Sequence, residues 1–212
     1  MENEGNANGM PETQANAVYL KDYTPPPYTV EKVELRFDLN EAHCVVRSKL
    51  KVHRRKDIYP TTPMVLDGED LELLAVIVNE HGLKKNQYQQ TDHNLIIPNL
   101  PESFELKINT RIQPQNNTSL MGLYKSSGNY CTQCEAEGFR KITYYPDRPD
   151  VLAVFTTTII ADLQKYPILL SNGNLTYTGI MDEGKHWATW HDPFPKPSYL
   201  FALVAGDLAC NE

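Results

Sequence analysis

The stretch Tyr28-Thr-Val-Glu-Lys-Val-Glu-Leu-Arg-Phe-Asp-Leu39 decides the fold class, because apolar and charged side chains alternate along it. One set of positions is apolar (Val33, Leu35, Phe37 and Leu39), and the other is charged (Glu34, Arg36 and Asp38). Successive side chains of a strand point to opposite faces, so this period places the apolar groups together. The stretch is therefore predicted to be a β-strand with one buried face.

The next segment repeats the alternation and predicts a hairpin with the first strand. Apolar and basic side chains alternate from Cys44 to Val52, and the polar residues Asn40-Glu41-Ala42 supply the turn. Phe104 to Ile112 alternates in the same way. Leu71 to Val78 is apolar on both faces and is predicted to be a central strand.

The second half of the chain carries strand signals of other kinds. Val154 to Ile160 is rich in β-branched residues, whose stiff χ1 torsions disfavour a helix. Asn172-Gly173 is predicted to be a hairpin turn, and a second turn at Asp182-Glu183-Gly184 is predicted to link Leu175–Ile180 with Lys185–His191. Tyr199 to Ala205 is predicted to be a last, deeply buried strand.

These short strands and regular turns predict an all-β fold. The 15 prolines agree, because sheets confine proline to edges, bulges and loops. We expect an antiparallel β-sandwich or curved sheet assembly with at most short helical turns. Residues 1–17 are rich in Asn and Glu and contain no aromatic residue, so they are predicted to be a disordered tail, followed by one β domain at 18–212.

Charge and hydropathy exclude two classes of partner. The formal net charge of −7 would repel a phosphate backbone, so we expect no nucleic-acid binding. No apolar run reaches the length of about 18 residues that a membrane span requires, and the first residues lack the basic-then-apolar plan of a signal peptide. We therefore expect no membrane association and a cytoplasmic location.

Catalytic motifs of the common hydrolases are missing from the sequence. It contains no HExxH zinc motif, no G-x-S-x-G nucleophile elbow and no Gly-rich phosphate loop. His186 and His191 are five positions apart, an odd spacing, so a regular strand would place them on opposite faces, unable to share a metal ion. The chain alone is predicted to bind no metal and to carry no catalytic residue.

Cys131 and Cys134 form a CxxC sequence, whose function the pattern leaves open. One such pair is half of a zinc ribbon and also the spacing of thioredoxin-like redox sites. No His with ligand spacing lies nearby, and no βαβ pattern surrounds the pair. We favour reduced thiols with a packing role, and a redox or metal site is the alternative.

A resemblance to a known family rests on this same region. Gly122-Leu-Tyr124, followed by Cys131-Thr-Gln-Cys-Glu-Ala-Glu-Gly-Phe-Arg140, resembles the first-domain signature of bacterial zinc aminopeptidases of the aminopeptidase N type, family M1. Ile142-Thr-Tyr-Tyr-Pro-Asp-Arg-Pro-Asp-Val-Leu152 and Asp192-Pro-Phe-Pro-Lys-Pro197 agree as well, and the resemblance extends roughly from Asp22 to Asp207.

The resemblance implies a place in a larger enzyme. In that family the first domain is a saddle-shaped β structure that covers a thermolysin-like catalytic domain, which carries HExxH and a Gly-Ala-Met-Glu-Asn exopeptidase segment. Neither motif occurs here. The resemblance thus implies Zn²⁺ bound elsewhere in the full-length protease, with this chain inactive by itself. It also implies two partners, the catalytic domain and the N-terminus of a peptide substrate.

The resemblance further assigns two substrate-binding residues. Glu135 matches the family position that binds the α-ammonium group of the substrate, and Gln133 matches the position that lines the pocket for the first side chain. On an extended strand two residues at this spacing would face the same side. An exopeptidase must fix the distance from the amine to the scissile carbonyl, which a rigid carboxylate can do.

Three further residues, Arg140, Glu137 and Tyr144, are predicted to support the site. Arg140 could orient Glu135 or pair with Asp147 elsewhere in the sheet, and the sequence leaves both open. The alternative to an enzyme domain is a free-standing β-sandwich that serves as a binding or scaffold module without catalysis.

Overall fold

The computed structural model describes residues 19–209, whose regular secondary structure consists of strands and short 3₁₀ turns. The strands are β1 Tyr28–Leu39, β2 Cys44–Arg54, β3 Met64–Asp67, β4 Glu72–Val78, β5 His81–Gly82, β6 Gln89–Gln90, β7 Asn94–Ile97, β8 Ser103–Ile112, β9 Gly122–Ser126, β10 Asn129–Gln133, β11 Ala153–Asp162, β12 Ile168–Ser171, β13 Asn174–Ile180, β14 Lys185–Lys196 and β15 Leu203–Gly206. Single 3₁₀ turns occur at Leu20–Asp22, Pro114–Asn116, Phe139–Lys141 and Ser198–Leu200. The predicted all-β fold is confirmed, and the predicted tail at 1–17 lies outside the described residues.

The strands form three sheets. The largest has the order β13-β14-β11-β1-β2-β8-β4-β5, the second β12-β15-β10-β9 and the third β3-β7-β6. Neighbouring strands are antiparallel, as predicted, except that β1 and β11 pair in parallel. Among residues 19–209, no helix has the length and hydropathy that crossing a membrane would need.

The alternation of β1 determines which face of the large sheet is buried. Val33, Leu35, Phe37 and Leu39 lie in one continuous core, which also contains residues of both smaller sheets. Burial of each such side chain stabilises the fold by about 1.5–3 kcal/mol. The opposite face carries cross-strand ion pairs such as Lys49 with Glu105 at 3.1 Å, so it can remain in water.

Two strand predictions are wrong in part. β4 lies next to the sheet edge rather than at its centre, with only the short β5 beyond it, and Leu74 is 40% exposed. Apolar residues on both faces of β4 do not indicate how many strands lie beyond it in the sheet. The predicted strand at Tyr199–Ala205 begins only at Leu203, because Ser198–Leu200 forms a 3₁₀ turn after Pro197. A short apolar run does not by itself separate a strand from a helical segment. The hairpin predicted at Asn172-Gly173 is also wrong, because this turn joins β12 and β13, which lie in different sheets, although Gly173 does have the predicted positive φ.

Candidate functional site

The residues of the CxxC segment lie where β10 ends and the chain reverses. β10 pairs with β9 and β15, and its last residue, Gln133, is opposite Gly122. The Gly138 N–H group donates a hydrogen bond to the carbonyl oxygen of Cys134 at 2.9 Å. We call residues 134–138 the acidic turn, because Glu135 and Glu137 are exposed on it. The Glu135–Ala136 peptide bond within it is cis.

Buried residues hold the acidic turn at both ends. Cys134 is buried at the start, and Phe139, which is 0% exposed, follows the turn directly. The Phe139 ring makes edge-to-face contacts with the rings of Tyr145 and Phe201, at centroid distances of 5.1 Å and 5.4 Å. A Cβ atom at Gly138 would lie 2.2 Å from the carbonyl oxygen of Gln133, so the close approach requires glycine. The turn therefore has little room to move.

The structure brings Gln133 and Glu135 together, but not in the predicted way. β10 ends at Gln133, so Glu135 is not on a strand and the argument from strand alternation is wrong. The contact is local instead, because the Gln133 Nε2 atom donates a hydrogen bond to the backbone carbonyl of Glu135 at 3.0 Å. Both side chains are exposed. Within residues 19–209 the Glu135 carboxylate has no ion pair and no side-chain hydrogen bond.

Arg140 pairs with Asp147, which is one of the two arrangements left open by the sequence. Its Nε and Nη2 atoms donate hydrogen bonds to Oδ2 and to the backbone carbonyl of Asp147, at 3.1 Å and 3.2 Å. Its Nη1 atom lies 3.3 Å from Glu137. In the part of the chain that the structure describes, Arg140 makes no such bond to Glu135. Glu137 is therefore paired, whereas Glu135 is free.

Asp147 anchors a network that the sequence did not reveal. Its side chain is 1% exposed, and Oδ2 accepts a second hydrogen bond, from the backbone N–H of Arg140, at 3.2 Å. Oδ1 accepts the Ser198 hydroxyl at 2.6 Å, and the Asp147 N–H donates to Asp67 at 3.0 Å. Burial raises the pKa of Asp67, while that N–H bond opposes the rise. No periodicity or spacing connects Ser198 with Asp147.

Tyr144 is buried beneath the surface. Its hydroxyl accepts a hydrogen bond from Gln90 Nε2 at 3.0 Å, and burial raises its pKa. Its ring packs on Gly68, where an added Cβ would lie 2.2 Å from a ring carbon. The structure thus places Tyr144 in the core, and its role as a supporting residue stays a prediction.

The described residues contain no group of three or more His, Cys, Asp or Glu side chains able to hold a metal ion. His186 and His191 make separate contacts, Nε2 with the Tyr166 carbonyl at 2.7 Å and Nδ1 with the Thr156 hydroxyl at 2.9 Å. Cys44, Cys131 and Cys134 are free thiols. Burial raises the pKa of Cys131 and of Cys134, so little reactive thiolate forms at neutral pH.

The thiols are expected to react with iodoacetamide in an order set by burial. Cys131 is half-buried and should be alkylated more slowly than free cysteine, whereas Cys44 and Cys134 should be alkylated only after unfolding. Peptide mass spectrometry of native and urea-unfolded samples measures this directly. A chelator should leave the pattern unchanged, and labelling of native Cys134 that appears only with chelator would support the metal alternative.

The sequence of the chain matches a known protein family over most of its length. The sequence model of the "Peptidase M1 N-terminal domain" family matches residues 24–200. The chain belongs to this family. The resemblance inferred from the Cys131–Arg140 segment is thereby confirmed, and the match covers all three sheets except for the end of the chain.

This M1 N-terminal domain is similar in sequence to part of several bacterial aminopeptidases. It is 52% identical over 196 residues to aminopeptidase N of Escherichia coli K12 and 49% identical over 192 residues to aminopeptidase N of Caulobacter vibrioides. These alignments cover 92% and 91% of this chain but 22% of each relative. The chain therefore spans about a fifth of the length of the relatives it matches.

Solved structures agree with this assignment. The aminopeptidase A of Legionella pneumophila, in complex with aspartic acid, superposes with a TM-score of 0.84 at 41% identity, over 90% of this chain and 22% of that one. A mutant M1 zinc metallopeptidase of Deinococcus radiodurans, bound to a Tyr-Ser-Ala substrate, gives a TM-score of 0.72 at 20% identity, over 85% of this chain and 42% of that one. At that identity the second similarity shows the fold alone.

Proposed function

We propose that this domain belongs to a zinc aminopeptidase that removes N-terminal amino acids from peptides. In this proposal it caps the active site, Glu135 binds the substrate α-ammonium group, and Gln133 lines the pocket for the first side chain. The names of the Escherichia coli and Caulobacter vibrioides relatives support the activity. Zn²⁺, when bound by a catalytic domain, would supply a Lewis acid and an activated water molecule. The cytoplasmic location stays a prediction.

The free carboxylate of Glu135 is the observation that carries the proposal. Two acidic side chains are exposed on the acidic turn, and Arg140 pairs with Glu137 at 3.3 Å, which leaves Glu135 available for a cation from outside. A carboxylate and an ammonium group form a short, charge-assisted hydrogen bond. The turn is already fixed by buried residues, so little conformational freedom would be lost on binding.

Gln133 suits the neighbouring position for a similar reason. Its Nε2 atom is engaged by the Glu135 carbonyl at 3.0 Å, so its amide plane is held while Oε1 remains an acceptor. An amide presents both polarity and a flat apolar face to a side chain that packs against it. Together the two residues would measure the distance from the amine to the bond that the catalytic domain cleaves.

Replacing Glu135 by Gln in the full-length enzyme tests the proposal. We expect kcat/KM for leucine p-nitroanilide to fall between about 10-fold and 150-fold, because a hydrogen bond to a charged group contributes about 1.5–3 kcal/mol. The matched comparison is Glu137→Gln, the same change on the same turn. As a supporting residue it pairs with Arg140 through an exposed side chain rather than with the substrate, so its loss should cost less than about threefold. A Glu135→Gln enzyme as active as the wild type would remove Glu135 from the substrate site.

The alternative, a free-standing binding or scaffold module, is tested by sequencing the gene downstream of the codon for Glu212. An exopeptidase segment and HExxH encoded downstream of Glu212 would support the enzyme domain. A stop codon at that point would support the binding or scaffold module instead.

A further inference from the structure

We propose that Asp147 is a positioning residue that holds Glu135 in its substrate-binding orientation. The inference rests on the proposed function, because it assigns Asp147 a part in the same site. Asp147 itself does not touch the substrate in this proposal. It acts through the end of the acidic turn.

The two ends of the acidic turn, its entry after Gln133 and its exit before Phe139, are held by different contacts. At its entry, the ladder between β9 and β10 fixes Gln133 opposite Gly122. At its exit the chain forms a 3₁₀ turn at Phe139–Lys141 rather than a strand, so no ladder fixes it there. The exit is held by the packing of Phe139, by the hydrogen bonds of Arg140 to Asp147, and by one backbone hydrogen bond from Glu69 to the Arg140 carbonyl.

These two kinds of contact do different things. Hydrophobic burial of a ring is strong but non-directional, whereas a hydrogen bond weakens steeply when its angle changes. Asp147 Oδ2 accepts from both the backbone N–H and the side-chain Nε of Arg140, at 3.2 Å and 3.1 Å. One oxygen atom therefore restrains both the main chain and the side chain of Arg140, and the Glu69 N–H group adds a hydrogen bond to the Arg140 carbonyl at 3.0 Å.

Asp147 is suited to this part because it is itself held from other elements. Ser198, which lies between β14 and β15, donates to Oδ1 at 2.6 Å. The N–H group of Asp147 donates to Asp67, the last residue of β3, at 3.0 Å. Through its backbone N–H and its carboxylate, Asp147 thus connects the acidic turn to residues that precede β4 and follow β14, and its side chain is 1% exposed.

The test is a double-mutant cycle in the full-length enzyme with Asp147→Asn and Glu135→Gln. The asparagine has the same shape, and its amide oxygen can still face Arg140 while its NH₂ group faces the Ser198 hydroxyl. It lacks the negative charge that strengthens the bonds from Arg140, so the exit of the turn is held less firmly. We expect kcat/KM for leucine p-nitroanilide to fall about 10-fold to 100-fold, mainly through KM, as for a misplaced binding group. In the Glu135→Gln background the same change should cost less than about threefold.

Asp150→Asn is the matched control. Asp150 lies on the same loop and bonds Arg148 at 2.6 Å and Tyr23 at 3.0 Å rather than a residue of the acidic turn, so its replacement should leave kcat/KM within about twofold. Additive losses in the cycle, or an Asp147→Asn enzyme with normal kcat/KM, would overturn the inference. If Glu135→Gln alone has no effect, the proposed function fails first, which is a distinguishable result.

A second variant covers the case in which Asp147→Asn does not fold, which thermal unfolding of the enzyme would reveal. Ser198→Ala removes only the hydrogen bond to Oδ1 and leaves the Arg140 bonds in place. It should raise KM about threefold to tenfold in the wild type and less than twofold in Glu135→Gln. Equal effects in both backgrounds, or none in the wild type, would overturn the inference by this route.

Discussion

Replacing Phe139 by Ala is expected to lower the free energy of unfolding of the chain by about 3–5 kcal/mol, the scale of large-to-small substitutions at buried aromatic sites. The ring is 0% exposed and lies among three other aromatic rings, with centroid distances of 5.1 Å to Tyr145, 5.4 Å to Phe201 and 6.0 Å to Phe155. The truncation removes buried apolar surface and leaves a cavity that neighbouring rings cannot fill without leaving their rotamers.

Urea unfolding of the chain, followed by circular dichroism, measures this change. Phe194→Ala is the matched control, because that ring is 75% exposed and its loss should change the free energy by less than about 0.5 kcal/mol. Domains of this size are stable by only about 5–15 kcal/mol, so Phe139→Ala should leave a small margin. A loss below about 1 kcal/mol would mean that Phe139 does not anchor the acidic turn to the core.

Replacing Arg140 by Met is expected to cost about 3–5 kcal/mol of unfolding free energy, for an electrostatic reason. Met retains much of the length of the side chain, but the Asp147 carboxylate, 1% exposed, would lose its cation and stay buried. Removing one partner of a buried ion pair leaves an uncompensated charge in a medium that solvates it poorly. Urea unfolding at neutral pH measures the loss, which should persist in 1 M salt because buried pairs are weakly screened.

Arg36→Met is the control for this prediction. Arg36 lies 3.5 Å from Asp38, but its side chain is 47% exposed, so the pair should contribute no more than about 1 kcal/mol. Adding Asp147→Asn to Arg140→Met should recover part of the stability, because the unpaired charge is then gone. If Arg140→Met lowers the free energy of unfolding no more than Arg36→Met does, Arg140 does not stabilise the buried charge of Asp147.

The strands predicted best from the sequence are those that bury one face and expose the other. β1, β2 and β8 alternate, and a shift by one residue would move every apolar side chain into water, so their pattern determines both structure and register. The parallel pairing of β1 with β11 could not be predicted, because a period of two is the same in parallel and antiparallel sheets. The edge position of β4 depends on which strands follow it in space, and its own residues do not contain that information.

The candidate site was predicted by resemblance rather than by periodicity. Glu135 and Gln133 were identified from the matched segment, and the alternation offered as a reason for their proximity is wrong because β10 ends first. The pairing of Arg140 with Asp147 was one of two possibilities that charge alone could not separate. Ser198 was missed, since its contact with Asp147 arises only when distant parts of the chain pack together.

The parallel pair at the centre of the large sheet has a consequence for biosynthesis. β1 lies between β2, which follows it at once, and β11, which is made much later. A chain that emerges from the ribosome can complete the β1–β2–β8 arrangement while one side of β1 still has unpaired N–H and C=O groups. Such an unpaired strand edge can pair with another nascent chain. Contacts between distant parts of a sequence also form slowly. The interval before β11 emerges is therefore when this domain is most exposed to misassembly.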